Sequence, residues 1–216
     1  MPRTKHINKI IKTLIFSDFF LFFGIGLLTP IFALFIMENI ENKIEIVGYA
    51  TTIYWLTRLV ATIPVSRIMD KIKGHRDEYY FLVFGTFFVA FVPLLLLMAK
   101  DPLHLYLIQV FNGVAMSMAV QSWRILFTTF IDKPMMGFEW SVEDVGISIS
   151  TAISASLGAF IVKLFGFPVL LASMFLLELV GTLFLVFLYR SKKIFTKPAP
   201  SLSDVDKAPL KIDSIK

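Results

Sequence analysis

Ser66-Arg67-Ile68-Met69-Asp70-Lys71-Ile72-Lys73-Gly74-His75-Arg76 is a short charged turn between two long apolar runs, 47–65 before it and 79–98 after it. Each run is long enough to cross a bilayer, which takes about 20 mostly apolar residues in helical form. A loop this short makes the two runs antiparallel neighbours. Its basic residues are Arg67, Lys71, Lys73 and Arg76. Short loops rich in Lys and Arg lie on the cytoplasmic side of a membrane, so the turn is assigned to the cytoplasm.

Outward from this turn, the whole chain has the same character. It has 216 residues, 56% of them hydrophobic and 23 of them Phe, with a mean hydropathy of +0.76. A soluble domain of this size could not cover so much apolar surface, so the composition is that of an integral membrane protein. Cysteine is absent, which excludes a disulfide framework and a thiolate metal site. The net charge of +5 does not point to nucleic acid. The basic residues sit at segment ends rather than in a patch with interleaved aromatics, which is the pattern of membrane orientation. The first apolar run is long and lacks an A-x-A exit, so it reads as a retained span and not a cleaved signal.

Six apolar spans are expected. Span 1, 14–37, contains Gly24 and Gly26, which allow close helix contact, and Pro30, which frees a carbonyl and kinks the helix. Asp18 lies one or two turns in from its cytoplasmic end. Span 2, 46–68, carries Arg58 near its middle and Pro64 near its inner end. Span 3, 79–98, is nearly pure hydrocarbon and is expected to face lipid. Span 4, 103–130, is the most polar: Gln109, Asn112, Met116, Val120 and Trp123-Arg124 fall on one helical face. A cytoplasmic loop is expected over 131–141. Span 5, 142–165, is rich in small residues, among them Gly146, Ser150, Ser154 and Gly158, which predicts a tight helix–helix contact. Span 6, 167–188, contains Glu178.

The domain plan is therefore a cytoplasmic N-terminal segment 1–13, a transmembrane domain 14–190 and a polar, disordered cytoplasmic tail 191–216. Basic residues cluster on one side, with Arg3, Lys5, Lys9 and Lys12 before span 1 and Arg190, Lys192 and Lys193 after span 6. The other side has only Lys43, Lys100 and Lys163 near span ends. The asymmetry puts both termini in the cytoplasm of a multi-pass protein of the cell (plasma or inner) membrane.

The opening stretch resembles the loop between helices 2 and 3 of the major facilitator superfamily, G-x-x-x-D-[RK]-x-G-[RK]-[RK]. Asp70 and Lys71 match, Ser66 stands at the first Gly, and the second Gly comes one place late as Gly74, followed by His75-Arg76. Its place between the second and third apolar runs agrees with the family. Two family patterns differ. The R-x-x-x-G of span 4 reads Gln109-Val110-Phe111-Asn112-Gly113, and the G-x-x-x-G-P of span 5 is absent. Without the Arg, a proton-relay role at Gln109 lacks its usual residue.

A trace of internal repetition supports the resemblance. Val47-Gly48 opens span 2 and Val145-Gly146 opens span 5; counting on, Leu59, Ala61 and Ile63 fall opposite Leu157, Ala159 and Ile161. A unit of three spans inverts its successor in the membrane. The fold class that the resemblance implies is all-α and integral to the membrane: six transmembrane helices as two inverted three-helix repeats, half of a major facilitator fold, over about 14–190.

No enzyme signature is present. His6, His75 and His104 lie near membrane boundaries without partners at ligand spacing, and H-E-x-x-H, G-x-S-x-G and G-x-x-x-x-G-K-[ST] are missing. No catalytic residue, metal or cofactor is assigned. The informative residues are the intramembrane charges, each costly unless paired or wet. By depth, Arg58 matches Glu178, and Asp18 matches Arg124. Each couple reads either as a structural ion pair or as part of a substrate or proton site, and Arg124 alternatively snorkels to the interface.

In the family, helices 1 and 4 line the cavity and helices 3 and 6 face outward. The resemblance therefore implies Asp18, Gln109, Asn112 and Arg124 as substrate-pathway residues. Matching depth makes Arg58 and Glu178 an intramembrane charge pair; the resemblance makes Glu178 structural, and Asp70, Lys71, Gly74 and Arg76 a conformational-gate loop. The expected function is a half-size secondary transporter of a small solute, working by alternating access as a homodimer, because two copies with an even number of spans share one orientation. The partners are then the solute, the lipid bilayer and a second copy. Asp70 is expected near residues 142–146 of that copy, where Glu143 and Asp144 would join a cluster with Arg67, Lys71 or Arg76. The alternative is a non-transporting membrane interaction protein or a truncated transporter remnant.

Overall fold

A computed structural model describes residues 7–71 and 76–189, all of it helices and short connections. Helix α1 spans Lys9–Leu28 and, after a tight turn at Thr29–Ile31, continues as α2, Phe32–Asn39. Then come α3 (Ile44–Lys71), α4 (Arg76–Met98), α5 (Pro102–Phe130) and, after a second tight turn at Lys133–Met135, α6 (Met136–Leu188). Among the described residues, five stretches are long and apolar enough to cross a membrane: Lys9–Asn39, Ile44–Lys71, Arg76–Met98, Pro102–Phe130 and Lys133–Leu188.

The local chemistry explains where helices start and bend. Asn8 accepts a hydrogen bond from the Ile10 amide at 3.2 Å, and Asp101 accepts one from the His104 amide at 2.9 Å, with Pro102 opening α5. Both satisfy first-turn donors that have no partner within the helix. Pro30 lies in the turn that interrupts the first span, as its missing N–H dictates.

Helix α6 has 53 residues, about 80 Å at 1.5 Å per residue, against a hydrocarbon core of about 30 Å. Gly166 breaks it, with φ 78° and ψ 174°. That backbone region is essentially restricted to glycine. Segments 136–165 and 167–188 therefore run in different directions on either side of it. The break falls at the boundary that the sequence puts between spans 5 and 6.

Small residues set the packing. Helix α1 is held by both segments of α6: Gly26 meets Ser154 and Gly158 meets the Leu27 carbonyl from the first, while Gly24 meets Glu178 and Gly181 meets the Ser17 carbonyl from the second. The small-residue run expected to make a tight contact thus makes it with α1. Gly85 seats α4 on Ala119 of α5, and Gly113 seats α5 on Tyr54 and Thr57 of α3. Ser117 of α5 donates to the Arg58 carbonyl of α3 at 3.1 Å. One apolar cluster, around Phe35, Leu96, Leu105 and Leu170, closes one end of the bundle. Another, around Leu14, Leu82, Trp123, Phe127 and Leu185, closes the other.

Two expectations change. Span 3 was expected to face lipid, yet 44% of the apolar window of α4 is buried, against 11% for α3. Helix α4 presents Gly85, Thr86 and Ala90 to its neighbours, and hydrophobicity alone does not separate a lipid-facing from a helix-facing apolar side chain. Helix α3 instead exposes a stripe through Trp55, Leu56, Leu59, Val60 and Ile63. The loop expected over 131–141 is also shorter, because α6 already begins at Met136. Residues 1–6, 72–75 and 190–216, which include Gly74, His75 and the tail, lie outside the described residues.

Two stacked cavities as a candidate solute site

A cavity of about 530 Å³ lies toward the end of the bundle that carries the 40–43 and 99–101 loops. Its wall includes Phe22 and Ile25 of α1, Tyr54, Trp55 and Arg58 of α3, Val89 and Val92 of α4, Gln109, Asn112 and Met116 of α5, and Met174 and Glu178 of α6. A second cavity of about 190 Å³ lies toward the opposite end. It is bordered by Asp18 and Leu21 of α1, Thr86 of α4, Val120, Trp123 and Arg124 of α5, and Trp140 and Glu143 of α6. Phe22 borders both. The polar face of span 4 lines both in turn: Gln109, Asn112 and Met116 the larger cavity, Val120, Trp123 and Arg124 the smaller.

In the larger cavity the sequence-selected charges keep apart. Arg58 lies 5.1 Å over the Trp55 ring and donates from Nη1 to the Tyr54 hydroxyl at 3.4 Å. Both partners sit one turn earlier on α3, so the helix presents the guanidinium already stacked. Its backbone carbonyl accepts from Thr62 at 2.7 Å and from Ser117 at 3.1 Å, which ties α3 to α5 at this depth. Glu178 is 1% exposed, packs on Gly24, and its Oε2 has no hydrogen-bond partner. The Asn112 Oδ1 is likewise buried without a partner. Among the described residues no ion pair within 4.0 Å joins Arg58 to Glu178. The two line one cavity without touching, so Glu178 is cavity wall rather than half of a closed ion pair.

In the smaller cavity the neighbours also differ from the depth-matched expectation. The carboxyl of Asp18 lies beside that of Glu143, not in an ion pair with Arg124. Both carboxyls are buried, whereas Arg124 is exposed at the cavity rim. Glu143, which the sequence places in a cluster around Asp70, faces into the bundle instead, while Asp144 beside it is exposed. At the turn, Asp70, Lys71 and Arg76 are exposed. Met69 is buried and accepts a hydrogen bond from Ser122 at 3.2 Å, which anchors the end of α3 on α5.

Tyr54, Trp55 and Glu143 join the site without having been singled out as site residues by sequence. The i−3 and i−4 spacing of Trp55 and Tyr54 before Arg58 is the signal that finds the first two. His104 pairs with Asp101 at 3.0 Å beside a loop, and no group of metal-ligating side chains occurs among the described residues. An apolar wall with one guanidinium, one carboxyl and two carboxamides is suited to holding a small solute by its polar ends.

Comparison with known proteins places this arrangement. A profile of the Major Facilitator Superfamily matches residues 14–212. An uncharacterised MFS-type transporter of Methanocaldococcus jannaschii is 22% identical over 160 residues, which covers 74% of this chain and 40% of the relative. The crystal structure of PepTSo, a POT family transporter, superposes with a TM-score of 0.73 at 14% identity, covering 91% of this chain and 39% of that one. The chain thus spans about two fifths of the length of both. Its helices, its apolar spans and the profile over nearly all of its length agree: it is a multi-pass membrane protein that belongs to the Major Facilitator Superfamily.

Proposed function

We propose that this chain is one unit of a secondary transporter that moves a small solute by alternating access, with the larger cavity as the solute site. The observation that carries the reading is the pair of cavities stacked along one polar face of α5 and meeting at Phe22. Gln109, Asn112, Asp18 and Arg124 are its pathway residues, joined by Arg58 and Glu178. The two segments of α6 on either side of Gly166 each cross the membrane. This makes six crossings, arranged as two inverted three-helix repeats, with both termini on the cytoplasmic side of the cell membrane. Asp70, Lys71, Gly74 and Arg76 form the gate loop at that side.

Alternating access needs an opposite wall, which a second six-helix unit supplies; a second copy of the chain, related by a two-fold axis along the membrane normal, fits the requirement. The exposed stripe of α3 supports this, since it borders the larger cavity through Trp55. The test is uptake by proteoliposomes of the purified protein from a broad panel of labelled small solutes, with and without a pH gradient. At least one solute is expected to accumulate above protein-free vesicles. Accumulation of none would instead support a membrane interaction protein.

A further inference from the structure

Three polar groups reach the larger cavity without a full set of partners. Glu178 is 1% exposed and its Oε2 is unpartnered; the Asn112 Oδ1 is buried and unpartnered. Arg58 makes one side-chain hydrogen bond, at 3.4 Å to Tyr54. A guanidinium has five N–H donors, so most of its capacity is unused. Buried polar groups in native proteins are nearly always satisfied, and those that are not call for an explanation.

The shortages here are of opposite kinds. Two acceptors, one of them a carboxyl, lack donors, while a stacked cation lacks acceptors. Much of the rest of the wall is apolar, with Phe22, Ile25, Val89 and Met116. The cavity, at about 530 Å³, falls within the range of small-molecule sites, about 300–1,000 Å³. Glu178 is buried and Arg58 half-buried, so a solute that fills the cavity with a single charge would cover the other protein charge and leave it unanswered, which is costly. A solute with both charges answers each.

We infer that the larger cavity binds an amphoteric solute: an ammonium group at Glu178 and Asn112, a carboxylate or similar oxyanion at Arg58, and an apolar body between them. This rests on the larger cavity being the solute site. Arg58 is then a binding residue held in place by Tyr54 and Trp55, and Gly24 makes room for the Glu178 side chain, since a Cβ there would fall 2.6 Å from its Cγ.

The test is equilibrium binding to the purified full-length protein in nanodiscs with matched probes. One set is L-phenylalanine, phenethylamine and 3-phenylpropionate; the other is L-leucine, isoamylamine and 4-methylpentanoate. At least one zwitterion is expected to bind about tenfold or more tightly than either singly charged analogue of its set, the effect of one charged hydrogen-bonded contact. Glu178→Gln should abolish the advantage over the acid, and Arg58→Gln the advantage over the amine; if one variant does not fold, the other decides. Equal affinities within both sets, no binding of either zwitterion, or a preference that survives these substitutions would overturn the inference. Uptake of a solute in the broad panel without zwitterion preference would remove this inference and leave transport standing. Zwitterion binding that obeys both substitutions without uptake would keep the site chemistry and remove transport.

Discussion

Glu178 shows what a residue's depth in the membrane does and does not say. Sequence position puts it level with Arg58, and each is costly in hydrocarbon unless paired or wet. The rotation of each helix about its axis then decides the partner, and that rotation comes from close contacts such as Gly24 on Glu178 and Gly113 on Tyr54 and Thr57. The same rotation turns Asp18 toward Glu143. The charged residues were therefore legible in the sequence, and their neighbours were not. Breaking a closed, buried ion pair costs about 3–5 kcal/mol. With no such pair at Glu178, Glu178→Gln should change stability by less than about 1 kcal/mol. Thermal unfolding of the purified protein, followed by tryptophan fluorescence, measures this. A loss as large as that of a broken buried pair would show that Arg58 and Glu178 are in contact in the membrane.

Among the elements, glycines carry the packing between α1 and α6. A Cβ at Gly158 would fall 1.9 Å from the Leu27 carbonyl oxygen, a backbone atom that cannot turn away. Gly158→Ala is expected to cost about 1–3 kcal/mol, the usual penalty for overpacking. Gly166→Ala is expected to cost about as much through its backbone conformation. Gly48 has nothing within 4 Å of an added Cβ, so Gly48→Ala should be neutral or gain up to about 1 kcal/mol of helix propensity. Folded yield and melting temperature of the three variants check the order; equal behaviour of Gly158→Ala and Gly48→Ala would contradict the contact. The limits of α4 and α5 and the Pro30 break were legible because they follow from apolar length and proline chemistry, whereas the start of α6 at Met136 was not. Nor were the burial of α4 and the exposure of α3. Lipid and a neighbouring helix are equally apolar surroundings, and only small residues such as Gly85, met by Ala119, mark the difference.

For the whole molecule, the proposed pairing of two units places the end of α3 in one copy near the start of α6 in the other. Met69 is buried under Ser122, so the exposed Ile68 is the position to use, opposite the exposed Val145. The chain has no cysteine, so Ile68→Cys and Val145→Cys in differently tagged copies give a clean readout. An inter-chain disulfide in membranes is expected; none, with a monomer in mild detergent, would remove the homodimer. Alternating access itself is tested most directly by the cavity residue Asn112. With Asn112→Cys as the single cysteine, an impermeant thiol reagent is applied to right-side-out and to inside-out vesicles. Alternating access predicts labelling from both sides, because the larger cavity opens to each in turn. Labelling from one side only, or from neither, after prolonged exposure would contradict it.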